Sequence, residues 1–200
     1  MMEYVYKAGK EGNPIFITLH GTGGDEHNLL PVAEALNADY GAIGIRGAVS
    51  ENGMNRYFKR TGEGVYDLED LEERGKGLQS FIYELGEKYK FAMEDVILLG
   101  FSNGSNIAIN LLLRENNEFK QAMLLAPMYP VELDAVHDLS DVRVFLSMGE
   151  HDPIVPLTES QRVIEIFKER HASIEGIWVN SHEINPQVIH AGKQWLTNNN

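Results

Sequence analysis

The chain contains no cysteine. Disulfide staples, thiolate metal sites and a cysteine nucleophile are therefore excluded, and the absence fits a reducing compartment. Positive charge is scarce as well: 17 lysines and arginines face 30 aspartates and glutamates, a formal net charge of −13. Such a surface repels phosphates, which argues against a nucleic-acid partner and against docking on anionic membranes. Its everyday consequence is solubility. No apolar run approaches membrane-spanning length, and residues 1–7 carry neither a long apolar core nor a small-residue cleavage site. The expected address is the cytoplasm, with no stable membrane association. Metal motifs are also missing. His182-Glu183 does not extend to His-Glu-x-x-His and no histidine pair has zinc spacing, so neither metal nor cofactor is expected.

Against these absences stands a chain of 200 residues, 43% of them hydrophobic. That suits one domain, 1–200, with a single sizeable core. Apolar runs with strand character at 15–19, 41–45, 96–99, 122–126, 142–148 and 174–179 alternate with helical periods at 29–36, 67–90, 103–113 and 155–171. Residues 3–7 alternate like an edge strand, and Asn185-Pro186 opens a closing helix. The alternation implies an α/β class with a mainly parallel central sheet and helices on both faces. The connector 128–141 is too short for a separate cap domain.

One stretch organises the rest. The buried-strand run Val96-Ile97-Leu98-Leu99 leads into Gly100-Phe101-Ser102-Asn103-Gly104, and a helical period follows at once. A strand–turn–helix around Gly-x-Ser-x-Gly is a nucleophile elbow, whose turn is too tight for a Cβ at either glycine. The pentapeptide alone is a weak signal, and its flanks carry the inference. In parallel sheets ligands sit at the carboxyl ends of the strands. Ser102, the loop His20-Gly21-Thr22-Gly23-Gly24-Asp25, Asp152 and His182 all fall there. The glycine loop is no phosphate loop, since no Gly-Lys-Ser/Thr follows; its position after an inner strand suits a second backbone donor to an oxyanion. A serine needs a base, and the base needs an orienting acid. The order Ser102, Asp152, His182 matches the Ser–acid–His order of α/β-hydrolases. Glu150 is the nearest rival acid. His27 and His151 break the order, and His137, His171 and His190 fall in connectors or helices.

The segment 46–64 has no clear period and is net positive, with Arg46, Arg56, Lys59 and Arg60 against Glu51 and Glu63. A loop of this length can form one wall of a substrate pocket, with apolar groups for an acyl chain or ring and a cation for an acid. Charge runs are usually solvated, however, and the favoured reading is that its bases neutralise acidic neighbours. Expected pocket residues are His20, Gly21, Met54, Tyr57, Phe58 and Met128.

His20-Gly21-Thr22-Gly23-Gly24-Asp25, Gly100-Phe101-Ser102-Asn103-Gly104 and Gly149-Glu150-His151-Asp152-Pro153-Ile154-Val155-Pro156, with His182 near the end, resemble the small carboxylesterase/phospholipase group of the α/β-hydrolase family. That group includes acyl-protein thioesterases. The segment Arg46-Gly47-Ala48-Val49-Ser50-Glu51-Asn52-Gly53-Met54 is similar to its quinone-stress-associated bacterial branch. The resemblance implies an α/β-hydrolase fold, with the backbone N–H groups of Thr22 and Asn103 as oxyanion hole. The chain departs from the family at Asn180-Ser181-His182, where glycine usually precedes the histidine. The implied function is a serine esterase or thioesterase acting on small to medium acyl esters through Ser102, Asp152 and His182. A small uncapped hydrolase also allows a homodimer. The competing class is a catalytically silent, hydrolase-like binding protein for a hydrophobic metabolite.

Overall fold

The computed structural model describes residues 2–133 and 137–198. Strands β1 (Tyr4–Lys7) and β2 (Ile15–Leu19) precede the short helix α1 (Leu30–Leu36) and β3 (Gly41–Ile45). Next come the short strands β4 (Val49–Glu51), β5 (Met54–Arg56), β6 (Arg60–Gly62) and β7 (Val65–Tyr66). Helix α2 (Leu68–Tyr89) leads through a 3₁₀ turn, Met93–Asp95, to β8 (Val96–Phe101) and α3 (Asn103–Leu112). The chain ends with β9 (Gln121–Leu125), β10 (Arg143–Gly149), α4 (Leu157–Lys168), β11 (Ser173–Val179) and α5 (Pro186–Thr197).

One sheet of seven strands runs in the order β1-β3-β2-β8-β9-β10-β11. Only β1 is antiparallel to its neighbour; every other pairing in this sheet is parallel. Parallel strands covered on both faces read as continuous apolar runs, and their side chains alternate between two cores. Thus Ile17, Leu19 and Leu98 join the core that also holds Leu78 and Ile82 of α2 and Ile107 and Leu111 of α3. Phe16, Ile97 and Leu99 join the other, with Ala33 of α1 and Val188 and Trp195 of α5.

The helix ends follow their capping chemistry. Asp67 accepts from the Asp70 N–H at the start of α2, and Lys90 closes the helix in the left-handed region at φ 63°. Asn185 accepts from the N–H groups of Gln187 and Val188 with Pro186 in the first turn, as its sequence signature predicts. Gly75, which weakens the helical signal of α2, sits where a Cβ would strike Asn110 Oδ1 of α3. It lets the two helices approach closely.

The expected loop over 46–64 is a pair of small antiparallel ribbons instead, β4–β5 and β6–β7. Strands of two or three residues are too short to show a period. Most of the bases there are matched to acids. Arg46 meets Glu26 and Glu3, Lys59 meets Asp70, and Arg60 meets Glu51. Among the described residues, no helix is long and apolar enough to cross a membrane.

Candidate active site

The chain reverses its direction of travel across the sheet beside β2. From β2 it moves outward to β3, then returns to β8 on the other side. A crevice opens at the carboxyl ends of strands at such a switch point. The loop after β2 holds residues 20–25 and the turn after β8 holds Ser102.

Ser102 sits at φ 52°, ψ −117°, a conformation that costs a residue with a Cβ and persists only where its surroundings enforce it. Its N–H donates to Leu125 O of β9 at 2.8 Å, and Asn106 N–H returns to Ser102 O at 3.0 Å as α3 begins. A Cβ on Gly100 would lie 2.6 Å from Ser105 Cα, and one on Gly104 would strike the Leu19 carbonyl. Both glycines of the motif are therefore required by close backbone approach.

Asp152 follows β10 and His182 follows β11. Their side chains meet at 2.7 Å, His182 Nδ1 to Asp152 Oδ2, with the carboxylate 1% and the imidazole 11% exposed. Asp152 Oδ1 accepts from the N–H groups of Ile154 (2.7 Å) and Val155 (2.9 Å). An ionised carboxylate only accepts, so Nδ1 is assigned the proton and Nε2 is left as the basic nitrogen. Glu150 N–H donates to Val179 O and His151 N–H to Asn180 O, which extends the β10–β11 ladder into both loops. A Cβ on Gly149 would lie 2.7 Å from Ser181 O. The imidazole of His182 packs on the ring of Phe101, the residue before Ser102, at 5.0 Å between centroids. Glu150, the rival acid, is exposed.

The segment 47–57 fastens both loops that flank the serine. Gly23 N–H donates to Asn55 O (2.9 Å), and Asn55 Nδ2 donates to Gly24 O (2.8 Å). Tyr57 N–H donates to Asn103 Oδ1 at 2.8 Å. Arg56 Nη1 donates to Thr22 Oγ1 at 2.8 Å. Among the described residues, the backbone N–H groups of Thr22 and Asn103 donate no hydrogen bond.

His20 is almost fully buried, 1% exposed. Its Nε2 accepts from Gly47 N–H at 3.0 Å and its Nδ1 lies 2.6 Å from Gly21 O, so the ring is neutral with its proton on Nδ1. Burial holds its pKa below the ordinary value, against the opposing pull of the Gly21 carbonyl, Asp25 and Glu26. A native pKa below the unfolded value means that the unfolded chain binds the extra proton first. Stability therefore falls as pH drops below about 6.5, the free-histidine value, towards the depressed native one. Urea midpoints taken between pH 8 and 5 should fall more steeply for the native protein than for His20→Asn. Equal slopes would remove His20 from that account.

Of the other expected pocket residues, Tyr57 (4%) and Phe58 (0%) lie in the core, the Tyr57 hydroxyl donating to Ile45 O at 2.6 Å. Gly21 borders Phe101, and Met54, 40% exposed, overlies Gly23. Met128 is half-buried, its N–H on Asn106 Oδ1 and its carbonyl accepting from Tyr66. Sequence reasoning missed Phe101 as a partner of the histidine and the tie from Arg56 to Thr22. The first was signalled by an apolar residue inside an otherwise small and polar motif. The second had no local signal.

A parallel sheet with helices on both faces, bearing a strained serine turn at its switch point, defines an α/β-hydrolase. The chain belongs to the phospholipase/carboxylesterase family, whose model matches residues 2–200. It is 36% identical over 195 residues to MhqD of Bacillus subtilis strain 168, named as a hydrolase, a match covering 97% of each chain. The crystal structure of the Bacillus cereus carboxylesterase superposes with a TM-score of 0.95 at 36% identity, covering 99% of this chain and 94% of that one. The structure of YahD with malic acid superposes equally well, TM-score 0.95, at 32% identity and full coverage of both chains.

Proposed function

We propose that this protein is a serine carboxylesterase or thioesterase acting on small to medium acyl esters. The observation that carries the reading is the short Asp152–His182 contact beside Phe101, next to a serine held at positive φ. Ser102 Oγ attacks the acyl carbonyl while its proton passes to His182 Nε2, and a C–O bond forms to the enzyme. Asp152 keeps the imidazole in one tautomer and stabilises the imidazolium. The N–H groups of Thr22 and Asn103, which have no other acceptor among the described residues, hold the oxyanion. As the tetrahedral centre collapses, His182 returns the proton to the departing alcohol or thiol. Water then attacks the acyl-enzyme by the same route in reverse, releasing the acid and restoring Ser102.

The working form is a catalyst rather than a silent binder, because a binding module has no use for an acid-oriented imidazole and a strained serine at the same rim of the sheet. A fluorophosphonate probe separates the two. Folded native protein should label stoichiometrically, and Ser102→Ala should not. A folded native protein that stays unlabelled would point to binding without turnover.

A further inference from the structure

Arg56 is a cation in an unusual place. Its side chain is 6% exposed, at the inner end of a ribbon strand that begins on the exposed Met54, in a protein of net charge −13. Nε donates to Phe58 O at 3.3 Å, and the guanidinium lies 5.8 Å from the centre of the Phe58 ring. Nη1 donates to Thr22 Oγ1 at 2.8 Å, so the outer edge of the guanidinium meets the loop proposed to hold the oxyanion. Among the described residues, Nη2 donates no hydrogen bond.

Its charge is only half answered. Among the described residues, the one carboxylate in reach is Glu51, 3.3 Å from Arg56 Nε. Both oxygens of Glu51 are also taken by Arg60 Nε, at 2.9 and 3.1 Å. Two guanidinium groups thus share one carboxylate, leaving a surplus positive charge beside Thr22. Arg46, by contrast, is matched by both Glu26 and Glu3. Burial, and then the charge of Arg60, press the Arg56 guanidinium below its ordinary pKa, the direction expected of a cation short of counter-charge. A buried cation is costly unless an anion completes it, and the fork of an arginine fits a carboxylate edge-on.

We propose that Arg56 recognises a carboxylate on the substrate, so that the preferred esters of this hydrolase carry a negative charge near the reacting carbonyl. The inference rests on the assignment of Ser102 as nucleophile and names the substrate class of that same site. The anionic substrate supplies the missing half-pair, and Thr22, held by the same guanidinium, stays aligned for the oxyanion. Arg56 is therefore a specificity-determining residue, and Arg60 tunes the charge behind it.

The test compares matched pairs of phenyl esters differing only in charge: 4-acetoxybenzoate against 4-acetoxybenzamide, and monophenyl glutarate against its primary amide. The native protein should favour the anion in kcat/KM by about tenfold or more in at least one pair, the size expected for one charged hydrogen bond. Arg56→Gln should bring that ratio to about one, and Arg56→Lys should restore part of it. Glu51→Gln, which removes the competing carboxylate, should raise the ratio, and it serves if Arg56→Gln fails to fold. A purely structural role would lower both members of a pair together and leave the ratio alone. Native ratios at or below one in both pairs, or a ratio insensitive to Arg56→Gln and Glu51→Gln, would overturn the proposal. Calorimetric titration of Ser102→Ala with monophenyl glutarate and its amide reads recognition without turnover. Tighter binding of the anion there, lost in Ser102→Ala/Arg56→Gln, with no hydrolysis by native protein, would sink the esterase reading and keep only the recognition of a carboxylate by Arg56; equal binding or none would overturn that recognition as well.

Discussion

Ser102→Ala is expected to lower ester turnover by about 10⁴- to 10⁶-fold, leaving only what the oxyanion donors and binding supply. The side chain is at the surface end of α3 and its removal opens no core cavity, so the variant should fold. Ser102→Gly should be equally inactive and yet more stable, by about 1 kcal/mol, because glycine occupies φ 52° without strain. Hydrolysis of p-nitrophenyl acetate and a thermal melt read both effects. Esterase rates within tenfold of native in Ser102→Ala would end the nucleophile assignment.

Asp152→Asn should cost about 10⁴-fold. The reason is a tautomer. An asparagine keeps an oxygen for the N–H groups of Ile154 and Val155, so the loop path survives. Its amide then presents N–H to His182 Nδ1, which forces the ring proton onto Nε2, where a base is needed. Melting temperature should move little while kcat collapses. Glu150→Gln, at the exposed rival, should leave kcat within a few-fold of native. Reversal of those two outcomes would transfer the acid's role to Glu150.

The elements were legible where local pattern and tertiary demand agree. Residues 15–19 and 96–99 read as buried strands because a parallel sheet covered on both sides needs unbroken apolar runs, and the second continues in the structure to Phe101. Asn185-Pro186 announced a helix start because caps are local hydrogen-bond chemistry. Ser102, Asp152 and His182 could be ordered along the chain, since alternation alone sends the ends of parallel strands to one rim. The ribbons of 49–66 were not legible, being too short to carry a period. Nor was the neutral, buried state of His20. Its partners Gly47 and Tyr57 are 27 and 37 positions away, and a lone histidine in a loop carries no mark of either. The same holds for Arg56 and Arg60, whose common claim on Glu51 is a matter of ribbon register rather than composition.

The imidazole hangs from β11, the outermost strand, which has a neighbour on one side only and is largely open to water. The serine, in contrast, rises from β8 in the middle of the sheet, where neighbours press from every direction. Mutational tolerance is thus distributed unevenly across the proposed catalytic machinery. Descendants of this sequence can re-aim the proposed base by drifting along an outlying border, while the proposed nucleophile stays locked in a centre that scarcely admits change.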